Sequence, residues 1–227
     1  MNNVTNEYDV DFTNYEDTRR FYLEAISLKD KNDVTARRYF EVIVENAHFP
    51  KLQSGSLVSI ARLELDTFVI DWMTKNKRRY KVYRSIKEIL ERARGFNPEN
   101  TQIDSLYVEL YYINTEFKLA GEHIGKIATP AGIQTLDANF DYLLKFLNAS
   151  PPMRRREYIT DEGIAFYDRL IYNKLLTPSE ENITNIANLF YEAASREQAM
   201  YYMSTLAFAR RRGGNQSPIA FAPRDSN

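Results

Sequence analysis

Two histidines, His48 and His123, and no cysteine stand beside 31 Asp and Glu, which narrows the chemistry this chain could carry. Glu45-Asn46-Ala47-His48 is a Glu-x-x-His pair at helical spacing, the element from which carboxylate-bridged dinuclear metal sites in helix bundles are assembled. Such a site needs a second pair and two further glutamates on facing helices. The position three before His123 is Ala120, so the second half is missing and no metal or other cofactor is expected. Without cysteine, disulfides, thiolate zinc sites and a cysteine nucleophile are excluded. No Gly-x-Ser-x-Gly elbow occurs, and neither glycine-rich phosphate loop is present. Gly121 and Gly125 flank His123, and they read as sites of close helix approach or bending. The carboxylate pairs Asp161-Glu162 and Glu180-Glu181 fall in first helical turns, where the helix dipole accounts for them. The expectation is a chain that is not an enzyme and takes no small-molecule substrate.

The cations are the richer signal. The formal net charge is −1, which argues against a bulk nucleic-acid coat, but the distribution is uneven. From Lys75 to Arg94 nine Lys or Arg stand against Glu88 and Glu91. On a helix, Lys77, Lys81 and Arg84 align, with Arg78 adjacent. Arg154–Arg156 and Arg210–Arg212 add two triplets. A solvated face, a nucleic-acid contact made through phosphates and counterion release, and a protein contact are the competing readings. The acidic start of the chain supplies a complement for the last: Glu7, Asp9, Asp11, Glu16 and Asp17 meet no Lys or Arg through residue 17.

The elements that must hold these residues are helical throughout. Ile103, Leu106, Leu110, Ile113, Phe117, Ala120, Ile124 and Ile127 keep a 3,4,3,4 spacing without a proline, which predicts one helix over 102–128, roughly 40 Å long. Helices are also expected after Asn14, over Val34–Ala47, from Ser54-Gly55-Ser56 to Trp72-Met73, and over Lys77–Arg94. The fourth carries Tyr80, Tyr83, Ile86, Leu90 and Ala93 inward. A helix after Thr129-Pro130 repeats the spacing with Ile133, Leu136, Phe140, Leu143 and Leu147, as an antiparallel hairpin with the long one. Met153–Arg156 reads as a basic connector. Thr160-Asp161-Glu162 and Thr177-Pro178-Ser179-Glu180 read as caps of further helices. The whole is an all-α single domain of about eight helices packed as antiparallel hairpins. Residues 1–14 form an acidic arm, 15–212 the helical domain, with possible sub-boundaries near 95–98 or 150–158, and 213–227 an extended tail. Ala36…Phe40…Ile43…Pro50 resembles the second helix of a tetratricopeptide unit over that one helix, and the 34-residue period does not recur.

Sixteen tyrosines suit wet interfaces between subunits as well as cores. The architecture resembles helical ring or connector subunits of phage particles, in which a compact bundle sends a C-terminal segment around a neighbour. The reading that follows is a non-enzymatic structural protein, a homo-oligomer or virion component. Its partner contacts would be Tyr8 and Phe12 in the arm, Ile219 and Phe221 in the tail, and Arg210, Arg211 and Arg212 as electrostatic anchors. The alternatives are a nucleic-acid-associated helical protein using Lys77, Arg78, Lys81 and Arg84, and a helical peptide-binding adaptor. No run approaches the ~18 apolar residues of a membrane span, and the first residues lack the pattern of a signal peptide, so an intracellular or virion setting is expected.

Overall fold

The computed structural model describes residues 8–127, 133–158, 160–163, 165–166, 184, 188 and 200. Among the described residues the fold is all-α, with eight bounded helices and no strand. They are α1 (Tyr15–Leu28), α2 (Asp33–Asn46), α3 (Pro50–Met73), α4 (Arg79–Phe96), α5 (Thr101–Ile113), α6 (Phe117–Ile127), α7 (Ile133–Ala149) and α8 (Pro152–Arg155). The chain forms two compact units, Met1–Leu106 and Tyr107–Asn227, divided inside α5. Apart from Thr184, Asn188 and Met200, which are helical, the helices expected beyond Leu175 and the tail from 213 lie outside the described residues, as do Arg210, Arg211, Arg212, Ile219 and Phe221.

In the first unit α3 packs against α1, α2 and α4. Its N-terminal half is buried on every side, from Leu52 through Ser54, Ser56, Leu57 and Val58 to Ala61. Ser54-Gly55-Ser56, expected to open this helix, lies within it. Pro50 does the opening, because a proline at the first position gives up an N–H that the helix would leave unpaired anyway. Gly55 permits a close crossing, since a Cβ there would sit 2.9 Å from the Tyr22 hydroxyl of α1. Gln53 Nε2 donates to the Val44 carbonyl at 3.1 Å, and the Arg37 guanidinium bridges Glu41 and Glu64; both tie α2 to α3.

The helix starts follow side-chain chemistry. Asn14 Oδ1 accepts from the Glu16 and Asp17 N–H groups at 2.9 and 3.3 Å, and Asn32 Oδ1 accepts from Thr35 N–H at 3.0 Å. These are N-caps, each worth about 1 kcal/mol. Acids fill the first turns of α1 (Glu16, Asp17), α2 (Asp33) and α5 (Asp104), as the dipole favours.

The single long helix expected over 102–128 is two helices. The stripe is unbroken, but Thr115 has φ 62° and Asn114-Thr115-Glu116 close α5 in a Schellman motif. Glu116 N–H donates to the Tyr111 carbonyl at 2.8 Å, Thr115 N–H to Tyr112 at 2.9 Å, and Asn114 N–H to Leu110 at 3.1 Å. The fourth terminal carbonyl, Ile113, accepts from the Tyr158 hydroxyl at 2.5 Å, so every carbonyl that the helix end would orphan is satisfied. A β-branched residue in the left-handed region costs roughly 1–2 kcal/mol. Thr115→Gly is therefore expected to raise stability by about 0.5–1 kcal/mol after the extra chain entropy of glycine is subtracted, whereas Thr115→Ala is expected to gain nothing. Urea midpoints of the two variants check this, and equal midpoints would show the backbone there to be unstrained.

Around Tyr158 the second unit builds an aromatic core. Its ring lies 5.2 Å from Tyr112, 5.5 Å from Phe146 and 6.1 Å from Phe117, and Phe166 joins at 5.0 Å from Tyr112. Buried Asn139 donates to Glu109, itself only 2% exposed, at 2.6 Å, linking α7 to α5 through a satisfied polar pair.

Candidate functional site

The site begins where α3 ends. Asn76 N–H donates to the Asp71 carbonyl at 2.8 Å and Lys75 N–H to Trp72 at 3.2 Å, with Lys75 at φ 57°: a second Schellman turn, again without glycine. The buried Asp71 carboxylate clamps the connection. Its Oδ1 accepts from Asn76 Nδ2 at 3.1 Å, and Asn76 Oδ1 in turn accepts from Arg78 N–H at 3.0 Å. Arg78 Nε stands 3.8 Å from Asp71 Oδ2. A clamped corner thus leads into α4, and its exposed residues include Lys75, Lys77 and Arg78.

From Lys75 to Lys87 there are Lys75, Lys77, Arg78, Arg79, Lys81, Arg84 and Lys87, and no acid. Lys77, Arg78, Lys81 and Arg84 are all exposed, but the helix expected from Lys77 begins at Arg79, so Lys77 and Arg78 stand in the turn before it. Among the described residues, Arg78 is the one of these four that pairs with a carboxylate. Val82, Ile86, Leu90 and Ala93 form the buried side of α4, with Tyr83 against Phe68 at 5.9 Å. Lys81 and Arg84 lie roughly opposite that stripe at 100° per residue.

Tyr80 corrects the expected inward stripe. It is 57% exposed. At 100° per residue it stands about 120° from Ile86, and α4 starts only one residue before it, so no later turn folds it inward. Arg79 braces it: the guanidinium carbon lies 4.8 Å over the ring and Nη2 donates to the phenol oxygen at 2.9 Å. That hydrogen bond first, and the guanidinium charge second, hold the Tyr80 phenol below its ordinary pKa. The sequence reading missed Arg79 and Tyr80 as a unit; their adjacency before a basic helix was the available signal.

Other expected contacts are placed elsewhere. Tyr8 and Phe12, expected to grip a partner, are half-buried against their own unit. The Tyr8 ring is 5.3 Å from both Phe21 and Tyr39, and Phe12 is 5.6 Å from Phe21. Val10 between them is buried with Phe21, Val42, Ile43, Ala47 and Leu52, a burial worth roughly 1.5–3 kcal/mol. Hydrophobic burial within the unit holds this part of the arm. The connector at 153–156 is also corrected. Arg154 is only 8% exposed and forks onto both Glu157 oxygens at 2.8 and 3.0 Å. Arg155 donates to the Ser150 and Asn148 carbonyls at 2.9 and 3.1 Å, closing the C-terminal end of α7. Two of that triplet's charges thus have structural partners.

His48 is exposed. His123 stacks on Tyr107 at 4.6 Å and leans on Tyr111 at 5.5 Å. Among the described residues no group of three or more His, Asp or Glu is placed to hold a metal, and no helix is long and apolar enough to cross a membrane. No protein-family model matches the chain, and comparison with characterised proteins and with solved structures gives no match.

Proposed function

We propose that this is a non-enzymatic, nucleic-acid-associated helical protein that holds phosphates on the surface formed by Lys77, Arg78, Lys81 and Arg84. The observation that carries the reading is the inverted charge at the start of α4. Where α1, α2 and α5 place acids in their first turns, α4 has none, and cations crowd the positive end of its dipole. Each such charge is disfavoured by about 0.3–1 kcal/mol, and a bound polyanion relieves that cost. The clamp through Asp71 and Asn76 fixes the corner beforehand, so little backbone order has to be acquired on binding. Phosphate contact by these side chains carries no base specificity.

Salt dependence tests it. Four phosphate contacts give a slope of log affinity against log salt of about −3.6 on duplex DNA and about −2.8 on a single strand. Absence of binding to either at low salt rejects the reading.

An oligomeric structural subunit, such as a virion ring or connector component, is the second reading. It is favoured by an exposed apolar stripe on α1, where Tyr15, Leu23 and Ile26 are 45%, 50% and 39% exposed. In this reading Arg210–Arg212 with Ile219 and Phe221 supply the grip, since Tyr8 and Phe12 are engaged within their own unit. Deleting residues 213–227 is then expected to lower the native mass in light scattering while leaving helicity intact. An unchanged mass removes this second reading.

A further inference from the structure

The charged surface is interrupted by one aromatic ring, and its setting distinguishes kinds of nucleic acid. Resting on the phosphate-binding reading above, we infer that the surface takes unstacked single strands in preference to duplex, with Tyr80 as the platform for one base. Three features converge on the ring. First, the ring is more than half exposed. Second, its position is set: Arg79 lies over one face and hydrogen-bonds its hydroxyl, so little side-chain freedom is lost when a base arrives on the other. Third, Arg84 follows it by four residues within α4, a spacing that brings helical side chains to within about 5–6 Å at their Cβ atoms, and Lys77 stands in the turn just before the helix, where its carbonyl accepts from Tyr80 N–H at 3.4 Å. A cation thus precedes the ring in the turn and another follows it on the helix, the order in which phosphate, base and phosphate follow one another along an unpaired strand. Duplex bases are stacked on each other and cannot meet the ring, so a duplex would use the cations alone. Aromatic platforms combined with a cationic track are the general solution for single strands, and they tolerate any base because every base has a π face.

The test uses the full chain with a fluorescein-labelled oligodeoxythymidine of about 20 nucleotides and a duplex of about 20 base pairs, followed by anisotropy. Tyr80→Ala is expected to weaken single-strand binding about tenfold, with duplex affinity and both salt slopes unchanged. Tyr80→Phe, which keeps the ring, is expected to retain most of the single-strand affinity. Circular dichroism of each variant verifies the fold, and the exposed position makes folding failure an unexpected result. Equal loss on both ligands, or no loss on either, overturns the platform while the phosphate-binding reading stands. No binding of either ligand by the unsubstituted chain at low salt overturns both.

Discussion

Tyr158→Ala is expected to lower stability by about 3–5 kcal/mol, the range for removing a fully buried aromatic side chain. Two losses combine. The ring has no exposed surface and fills the space between Tyr112, Phe117 and Phe146. Its hydroxyl is also the partner of the Ile113 carbonyl at the end of α5. Tyr158→Phe separates them, because it keeps the ring and leaves that carbonyl unpaired; it is expected to cost about 1–3 kcal/mol. Urea unfolding gives both values, and hydrogen exchange of the amides from 114 to 117 reports the helix end directly. If the alanine and phenylalanine variants lose equal stability, the packing contribution assigned to the ring is wrong.

Neutralising the basic surface should have a larger effect on binding and an opposite effect on folding. For the combined variant Lys77→Gln, Arg78→Gln, Lys81→Gln and Arg84→Gln, the salt slope is expected to collapse toward zero from about −3.6 on duplex DNA. In the unsubstituted chain that slope means an affinity loss of about 150-fold for each fourfold rise in salt, and the variant should show almost none. Its melting temperature should be unchanged or higher, since the substitutions remove like charges from the unfavourable end of α4. The Arg78–Asp71 pair works against this gain, because at 3.8 Å it joins an exposed guanidinium to a buried carboxylate that the substitution leaves without its cation. Lost binding with retained or raised stability is the signature of residues held for a ligand. Lost stability would instead make the cations part of the fold.

Much of the fold was legible because helix signals are local. The start after Asn14 and the 3.6-residue rhythm of α1, α2 and α4 act within one or two turns, whereas Pro50, which opens α3, was not read as its start. The all-α class followed directly. The basic surface was legible for the same reason: a run of cations on a helix needs no tertiary partner to stay exposed. Tyr80 was misread because the apolar stripe was carried into the first turn of α4, where at 100° per residue Tyr80 stands about 120° from Ile86. The acids of the arm suggested a partner-seeking segment, and the packing of Tyr8, Val10 and Phe12 with Phe21 and Tyr39 was not legible, because it depends on residues of α1 and α2.

The α5–α6 break shows most clearly where local information stops. Helical class, the apolar stripe and its membership, from Ile103 to Ile127, are properties of residue order, since side-chain period and backbone period coincide in any helix. The interruption at Thr115 is not such a property. Locally, a threonine at positive φ is disfavoured and an unbroken helix is the cheaper conformation. The turn exists because the Tyr158 hydroxyl, 45 residues away, satisfies the last carbonyl of α5, and because the turn lets Tyr112 and Phe117 meet the same aromatic core. Those gains arise only when distant segments are already in contact, so tertiary packing, and not the order of residues around Thr115, decides the break.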